Sequence, residues 1–327
     1  VRSIVIFGGT GFIGSYLAER WLQQGLADEV VLADLLPIRY LGLQGKPGIR
    51  FVQVDVRQPI PTTLCAEAPQ WIFNFAAIHR EPGHEPNEYF DTNLRGAENV
   101  TAYARAVGCD NLFFTSSISV YGPTTGPTDE CSPIRPISPY GGSKYPAELI
   151  HQRWLAESPA RRLMVIRPGV VYGPHDPGNI GRMVKAIQKG YFAFPGSTAL
   201  YKSYAYIHGL LDSIDFVIAS GQRSITYNYV ETPTQTLGEI AEVAKAFTGS
   251  KAPLLSLPTG LLMPAAHLLQ LVAGSRNPVH PVRVRKAGMS THIVPQVLLD
   301  MGFRFKYSFR ESLAHWKSVA PQDFGSG

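Results

Sequence analysis

The chain has 327 residues, 45% of them hydrophobic and 17% charged, with 31 glycines and 26 prolines. That length fits one large or two closely joined domains and can bury a core without disulfide or metal staples. The low charged fraction excludes disorder, coiled coil and solvated repeat arrays, and a formal net charge of +5 suits an enzyme with anionic ligands better than a dedicated nucleic-acid binder.

Residues 3–7 are an apolar run ended by Gly8 and Gly9, which reads as a first strand. Residues 12–24 follow with Phe12, Ile13, Tyr16, Leu17 and Trp21 at helical spacing. Strands are predicted over 30–33, 51–54 and 71–75, then a helix from about 88 to 107. A strand over 112–115, a helix over roughly 140–157 and a strand over 163–166 complete the first half. Continuous apolar strands alternating with amphipathic helices predict an α/β fold, a doubly wound parallel sheet of Rossmann type.

The pattern loosens after Arg167, where Pro168, Pro174, Pro177 and Gly178 mark loops. Helices are predicted near 180–189, over 237–248 and over 258–274, with a strand-like stretch at 204–207. No repeat or low-complexity linker separates the halves. The expected division is therefore residues 1–168 as a nucleotide-binding domain, with a returning segment near 203–230. Residues 169–327 form a smaller mixed α/β substrate domain packed onto it. Basic residues dominate after Arg276, among them Arg283, Arg285 and Lys286.

Cys65, Cys109 and Cys131 are odd in number and lack metal-like spacing, which points to a reducing cytoplasm. The chain enters its first strand with no charged leader. The apolar stretch 261–273 carries Pro264 and His267 and is too short for a bilayer, which needs about 20 apolar residues. The histidines form no helical metal pair, so no metal is expected.

Gly8-Gly9-Thr10-Gly11-Phe12-Ile13-Gly14 lies between the first strand and the first helix, with glycines at 8, 11 and 14. Small residues there allow a tight turn and close approach of a pyrophosphate to backbone amides at a helix N-terminus. A plain glycine-rich turn is the other reading. Asp34 closes the second strand about 20 residues further on, where a carboxylate accepts from the adenosine ribose hydroxyls and repels a 2′-phosphate. That favours NAD over NADP, with Arg39 as a nearby counterweight. Asp55, before Val56, is either an adenine contact or a turn residue.

Tyr140 and Lys144 are four residues apart and share a helix face. A free tyrosine titrates near 10, too high for a base at neutral pH, but a neighbouring ammonium favours the phenolate. Such a pair acts as a general acid and base. Thr115, Ser116 and Ser117 end the preceding strand, where ligands of a doubly wound sheet collect. Ser117 there either bonds a reacting oxygen or caps the strand.

These residues together resemble the extended short-chain dehydrogenase/reductases, specifically the NAD-dependent epimerase/dehydratase group acting on nucleotide sugars. The resemblance spans nearly the whole chain. It rests on the 8–14 loop, Asp34, Asp55, Asn74-Phe75-Ala76-Ala77, Asn93, Thr115-Ser116-Ser117 with Val120-Tyr121-Gly122, Tyr140 with Lys144, and Arg167-Pro168 with Tyr172-Gly173-Pro174. It implies that Ser117, Tyr140 and Lys144 are the catalytic triad. It implies that Gly8, Gly11, Phe12, Ile13, Gly14, Asp34, Asp55, Val56, Phe75, Ala76, Ala77 and Asn93 serve the cofactor, with Tyr140 and Lys144. On the substrate side it implies His79, Ser117, Asn179, Lys202, Arg283 and Arg285. A homodimer through helices 88–107 and 140–157 is likewise implied.

Two features choose within the group. Dehydratases carry an acidic pair after the strand-end Thr, whereas this chain has Ser116-Ser117-Ile118, so elimination lacks its acid. Sugar 4-epimerases usually carry Asn where this chain has Val170. The expectation is a cytoplasmic NAD enzyme that oxidises and re-reduces C4 of a nucleoside-diphosphate hexose. The alternatives are a nucleotide-4-ketosugar reductase or hydroxysteroid-like dehydrogenase, and a non-catalytic NAD sensor. The last class commonly loses Tyr or Lys, and both are present here.

Overall fold

Strand β1 (Ser3–Phe7) is wholly buried and runs through the middle of a seven-stranded sheet. Helix α1 (Phe12–Gln23) follows, then β2 (Glu29–Asp34), β3 (Ile49–Gln53) and β4 (Trp71–Asn74). Helix α2 (Pro86–Val107), β5 (Asn111–Thr115), helix α3 (Pro139–Ala156) and β6 (Arg162–Pro168) come next. The computed structural model describes residues 1–40, 42–175, 178–257, 264 and 281–324. The helix expected over 258–274 lies outside the described residues, apart from Pro264.

The second half contributes β7 (Val170–Tyr172), α4 (Asn179–Gln188), β8 (Ala193–Pro195), β9 (Tyr201–Lys202) and β10 (Tyr204–Tyr206). Helix α5 (Ile207–Ala219), β11 (Ser224–Tyr229), β12 (Gln235–Thr236), α6 (Leu237–Thr248) and β13 (Leu255–Leu257) follow. Helices α7 (Pro281–Ala287), α8 (Gln296–Asp300) and α9 (Phe309–Val319) come next, followed by a 3-10 turn at Pro321–Phe324.

The sheet order is β11-β6-β5-β4-β1-β2-β3, and every pairing is parallel. Parallel strands need long crossover connections, most of them helical here, and these helices cover both faces. On one face Ile4, Ile6, Phe73, Phe113 and Met164 join α1 and α5 in a core. On the other Val5, Phe7, Ile72, Leu112, Phe114 and Val165 pack under α2 and α3. The strand order reverses between β1 and β4, so the carboxyl ends of β1, β4 and β5 open onto one crevice, where such sheets bind ligands.

Helix starts follow local chemistry. Glu85 and Glu88 form a capping box at α2 with Pro86 in its first turn, and Gly108 closes it in left-handed conformation at φ 69°. Ser308 with Glu311 and Thr236 with Glu239 do the same for α9 and α6. Among the described residues no helix is long and apolar enough to cross a membrane.

Candidate active site

The turn after β1 is built by steric exclusion. Gly8 has φ 73°, and a Cβ there would lie 2.6 Å from the Ala76 amide nitrogen. A Cβ on Gly14 would lie 2.7 Å from the Gly8 carbonyl oxygen, so the start of α1 presses directly on the turn. Gly11 is the N-cap of α1, and no side chain caps it. Its first-turn amides are therefore available to an anion, and the helix dipole favours one. Phe12 and Ile13 form that turn.

Asp34 reaches the same turn from β2. Its Oδ2 accepts from the Thr10 N–H at 3.2 Å and its Oδ1 from the Leu36 N–H at 3.4 Å. A glycine cradle, an uncapped helix start and a carboxylate at the end of β2 are the parts a dinucleotide requires, and these residues fit one. Asp55 is held by Arg57, whose Nη2 lies 2.7 Å from Oδ2, and this hydrogen bond keeps the carboxyl below its ordinary range. Val56 is buried against Gly96 of α2.

Phe75, Ala76 and Ala77 leave β4 half-buried, with the Phe75 ring 5.6 Å from that of Phe73. Asn93 holds this segment in place. Its Oδ1 accepts from the Ile78 N–H at 3.1 Å, and its Nδ2 donates to the Ile78 carbonyl at 3.3 Å and to Ser143 Oγ at 2.7 Å. The Asn93 amide thus ties the loop after β4 to α3.

Helix α3 brings the reactive groups together. Ser138 is its N-cap, accepting from the Gly141 N–H at 3.2 Å, and Pro139 stands in its first turn. A Cβ on Gly141 would sit 2.3 Å from the Ser119 carbonyl oxygen, so the helix lies against the turn that follows β5. That approach brings the Ser117 hydroxyl toward the Tyr140 phenol, where it favours the ionised form. Ser117 is 7% exposed, and its Oγ also lies 3.1 Å from the Ser119 N–H and 3.1 Å from Ser119 Oγ.

Burial pushes the Tyr140 phenol up to about 12, the neighbouring Ser117 hydroxyl opposes the rise, and the charge of Glu81 adds to it. Burial pulls the Lys144 ammonium down to about 7, opposed by Glu148. Burial thus makes each group alone resist its charged form. Lys144 Nζ lies 4.4 Å from the Phe114 ring centroid. One turn further along α3, Glu148 forms a two-pronged ion pair with Arg167 at 2.9 and 2.6 Å. Arg167 Nη1 donates to the Tyr121 hydroxyl at 2.8 Å, which donates to Asn228 Oδ1 at 2.9 Å. This buried network locks α3 to β6 and β11.

The residues assigned to substrate are less concentrated. His79 is exposed on the loop after β4. Lys202 Nζ donates to the Lys286 carbonyl at 3.1 Å and the Met289 carbonyl at 2.5 Å, so it anchors the end of α7. Asn179 Oδ1 accepts from Arg182 at 2.7 Å at the start of α4. Arg285 is exposed on α7, and the Arg283 side chain lies outside the described residues. Lys286, counted above in the basic cluster, pairs instead with Glu81. The sequence reading assigns no role to Glu81 or to the close approach at Gly141. The signal for Gly141 is the glycine directly after the tyrosine, whereas Glu81 has no motif to mark it.

Residues 4–228 match the model of the NAD dependent epimerase/dehydratase family. The chain belongs to that family, and NAD is its cofactor. Over 95% of its length it is 29% identical to an Escherichia coli O157:H7 protein, N-acetyl-alpha-D-glucosaminyl-diphospho-ditrans,octacis-undecaprenol 4-epimerase, covering 93% of that protein. Among solved structures it resembles the UDP-glucose 4-epimerase of Thermus thermophilus in complex with NAD. The TM-score is 0.73 at 21% identity, over 97% of this chain and 100% of the other. It also resembles the Methanobrevibacter ruminantium UDP-N-acetylglucosamine 4-epimerase in complex with UDP-N-acetylmuramic acid. There the TM-score is 0.76 at 18% identity, over 97% and 99% of the two chains.

Proposed function

We propose that the chain is an NAD-dependent 4-epimerase of a hexose carried on a diphosphate, with a nucleoside diphosphate as carrier. The observation that carries this reading is the close approach of α3 to the turn after β5, which brings Tyr140 to Ser117 with Lys144 one turn along the same helix. The full-length relatives named as 4-epimerases support it over a net reductase.

NAD, when bound, supplies a hydride acceptor and donor. The chain supplies the rest. The 8–14 turn and the first turn of α1 would hold the pyrophosphate, and Asp34 would accept from the adenosine ribose. Ser117 donates to the sugar C4 oxygen and aligns it with Tyr140 Oη. Tyr140 takes the hydroxyl proton as C4 is oxidised, and Lys144 stabilises the phenolate and shortens the gap in acidity. The 4-keto sugar turns over in the site, and Tyr140 returns the proton as C4 is reduced on its other face. No net oxidant is consumed.

A second carrier is favoured by one observation. Val170 stands where the nucleotide-sugar resemblance puts Asn, and its apolar side chain is 43% exposed. The E. coli relative's name specifies a polyprenyl diphosphate carrier, which an exposed apolar side chain suits.

We assign NAD binding to residues 1–168 with the segment near 203–230, and substrate binding mainly to 169–327. A homodimer through α2 and α3 is supported by Phe90 and Leu149, 40% and 45% exposed. Gly142, beside Phe90, and Leu149 are seven residues apart on one face of α3. Three free cysteines suit the cytoplasm.

The test is to incubate the full chain and NAD with UDP-N-acetylglucosamine, UDP-glucose and undecaprenyl-diphospho-N-acetylglucosamine. The expected product is the C4 epimer of one of them, formed without loss of added NADH. A 4-keto sugar that accumulates in proportion to NADH formed from NAD, with no epimer, would instead establish a net oxidoreductase.

A further inference from the structure

Glu81 lies in the loop leaving β4, and its side chain is only 7% exposed. A carboxylate this buried requires compensating partners. Two reach it from separate elements. Its Oε1 accepts from the Tyr140 N–H at 3.1 Å, and its Oε2 accepts from the Lys286 ammonium on α7.

The amides opening α3 explain the first contact. Pro139 has no N–H, and the Gly141 N–H goes to Ser138 Oγ. The Tyr140 N–H is the donor that the N-cap residue leaves over, and Glu81 accepts it. A carboxylate at that end of a helix is also favoured by the dipole. The second contact joins the reaction centre to α7, the same helix whose carboxyl end Lys202 holds.

We propose that Glu81 is a positioning residue. It fixes the peptide of Tyr140, couples α7 to the reaction centre and sets the electrostatic field at the phenol, with Lys286 as its neutralising partner. The inference rests on the reading of Tyr140 as the proton-transfer group.

The charges around the phenol make the two partners distinguishable. Lys144 faces it from its own helix, Ser117 from the end of β5, and Glu81 from the loop after β4, with Lys286 behind Glu81. His79 and Arg80 lie on that loop, and Glu88 on α2 acts together with Glu81 on Tyr89. The Glu81 charge opposes phenolate formation, and the Lys286 charge relieves that opposition. Removing one or the other therefore moves Tyr140 in opposite directions.

The experiment labels the NAD-loaded full chain with [13Cζ]tyrosine and assigns the Tyr140 resonance by its loss in Tyr140→Phe. At one fixed alkaline pH, Glu81→Gln should raise the phenolate-to-phenol ratio about threefold, and Lys286→Met should lower it about threefold. Lys286→Arg, which keeps the charge, should match the unaltered protein. Shifts of the same sign, or no shift in either variant, overturn the proposal, since a merely structural latch gives no sign reversal. Should Glu81→Gln fail to fold, the exposed Lys286 decides through its Met and Arg variants alone. The spectrum needs no sugar. Inactivity on every sugar tested counts against the proposed function, whereas an active enzyme with unmoved resonances counts against the role of Glu81.

Discussion

Gly141 and Ser119 are in backbone contact: a Cβ on the glycine would fall 2.3 Å from the serine carbonyl oxygen. Helix α3 can approach the end of β5 only because that atom is missing. Gly141→Ala should therefore push the helix back and separate Tyr140 from Ser117. A misplacement of about 1 Å costs on the order of 100-fold in rate, and the forced backbone shift costs about 2 kcal/mol of stability. Turnover and urea unfolding of the variant measure both. Wild-type kcat in the alanine variant would show that the approach does not position the phenol.

Tyr140→Phe removes one hydroxyl and leaves the ring in its half-buried place. Turnover should fall by about 100-fold or more, while NAD affinity, measured by calorimetry, changes little because the glycine cradle and Asp34 are untouched. Retained turnover would assign the proton transfer to another group.

Asp34 sits beside the glycine turn through its bond from the Thr10 amide. Asp34→Ser should weaken NAD binding by about tenfold and narrow the preference over NADP, because the carboxylate no longer repels a 2′-phosphate. Fluorescence titration with both dinucleotides gives the ratio. An unchanged ratio would mean that the discrimination lies elsewhere.

Glu231 is buried between Tyr172, whose hydroxyl donates to it, and Ser312. Burial raises its carboxyl to about 8. Between the unfolded value and 8 the folded chain keeps a proton that the unfolded chain has lost. Stability from this group is therefore complete below the unfolded carboxylate range and disappears as pH rises through 8. The slope is roughly 1.4 kcal/mol per pH unit within that window. Glu231→Gln, which keeps the shape and an acceptor, should flatten the fall in Tm between pH 5 and 8 in buffered thermal melts. Parallel curves for the two proteins would place the ionisation elsewhere.

Much of the first half is legible in the sequence because its strands, apart from the edge strand β3, are buried on both faces and its helices on one. The apolar run at 3–7 is β1, and the predicted 12–24 helix differs from α1 by one residue. Helix α5 is not legible, since β10 passes into it at Tyr206 with no capping side chain or breaker. Strand β11 hides for another reason. It carries Asn228, a buried polar residue that reads as loop until its partners Tyr121 and Val294 are known. The triad is legible from motif and spacing, but its support is not. Asn93, Glu148 and Glu81 act through residues 15 to 205 positions away, which no local pattern records.

Strand β11 completes the parallel sheet beside β6, yet the chain reaches it only after passing through β7 to β10. A fragment ending at Pro168 would leave β6 with a bare edge, open to pairing with a neighbouring chain and to aggregation. The cofactor half is thus not a portable module. A chimera that exchanges substrate halves between relatives has to keep β11 and its covering helix with the sheet they finish, so the viable crossover points are two, not one.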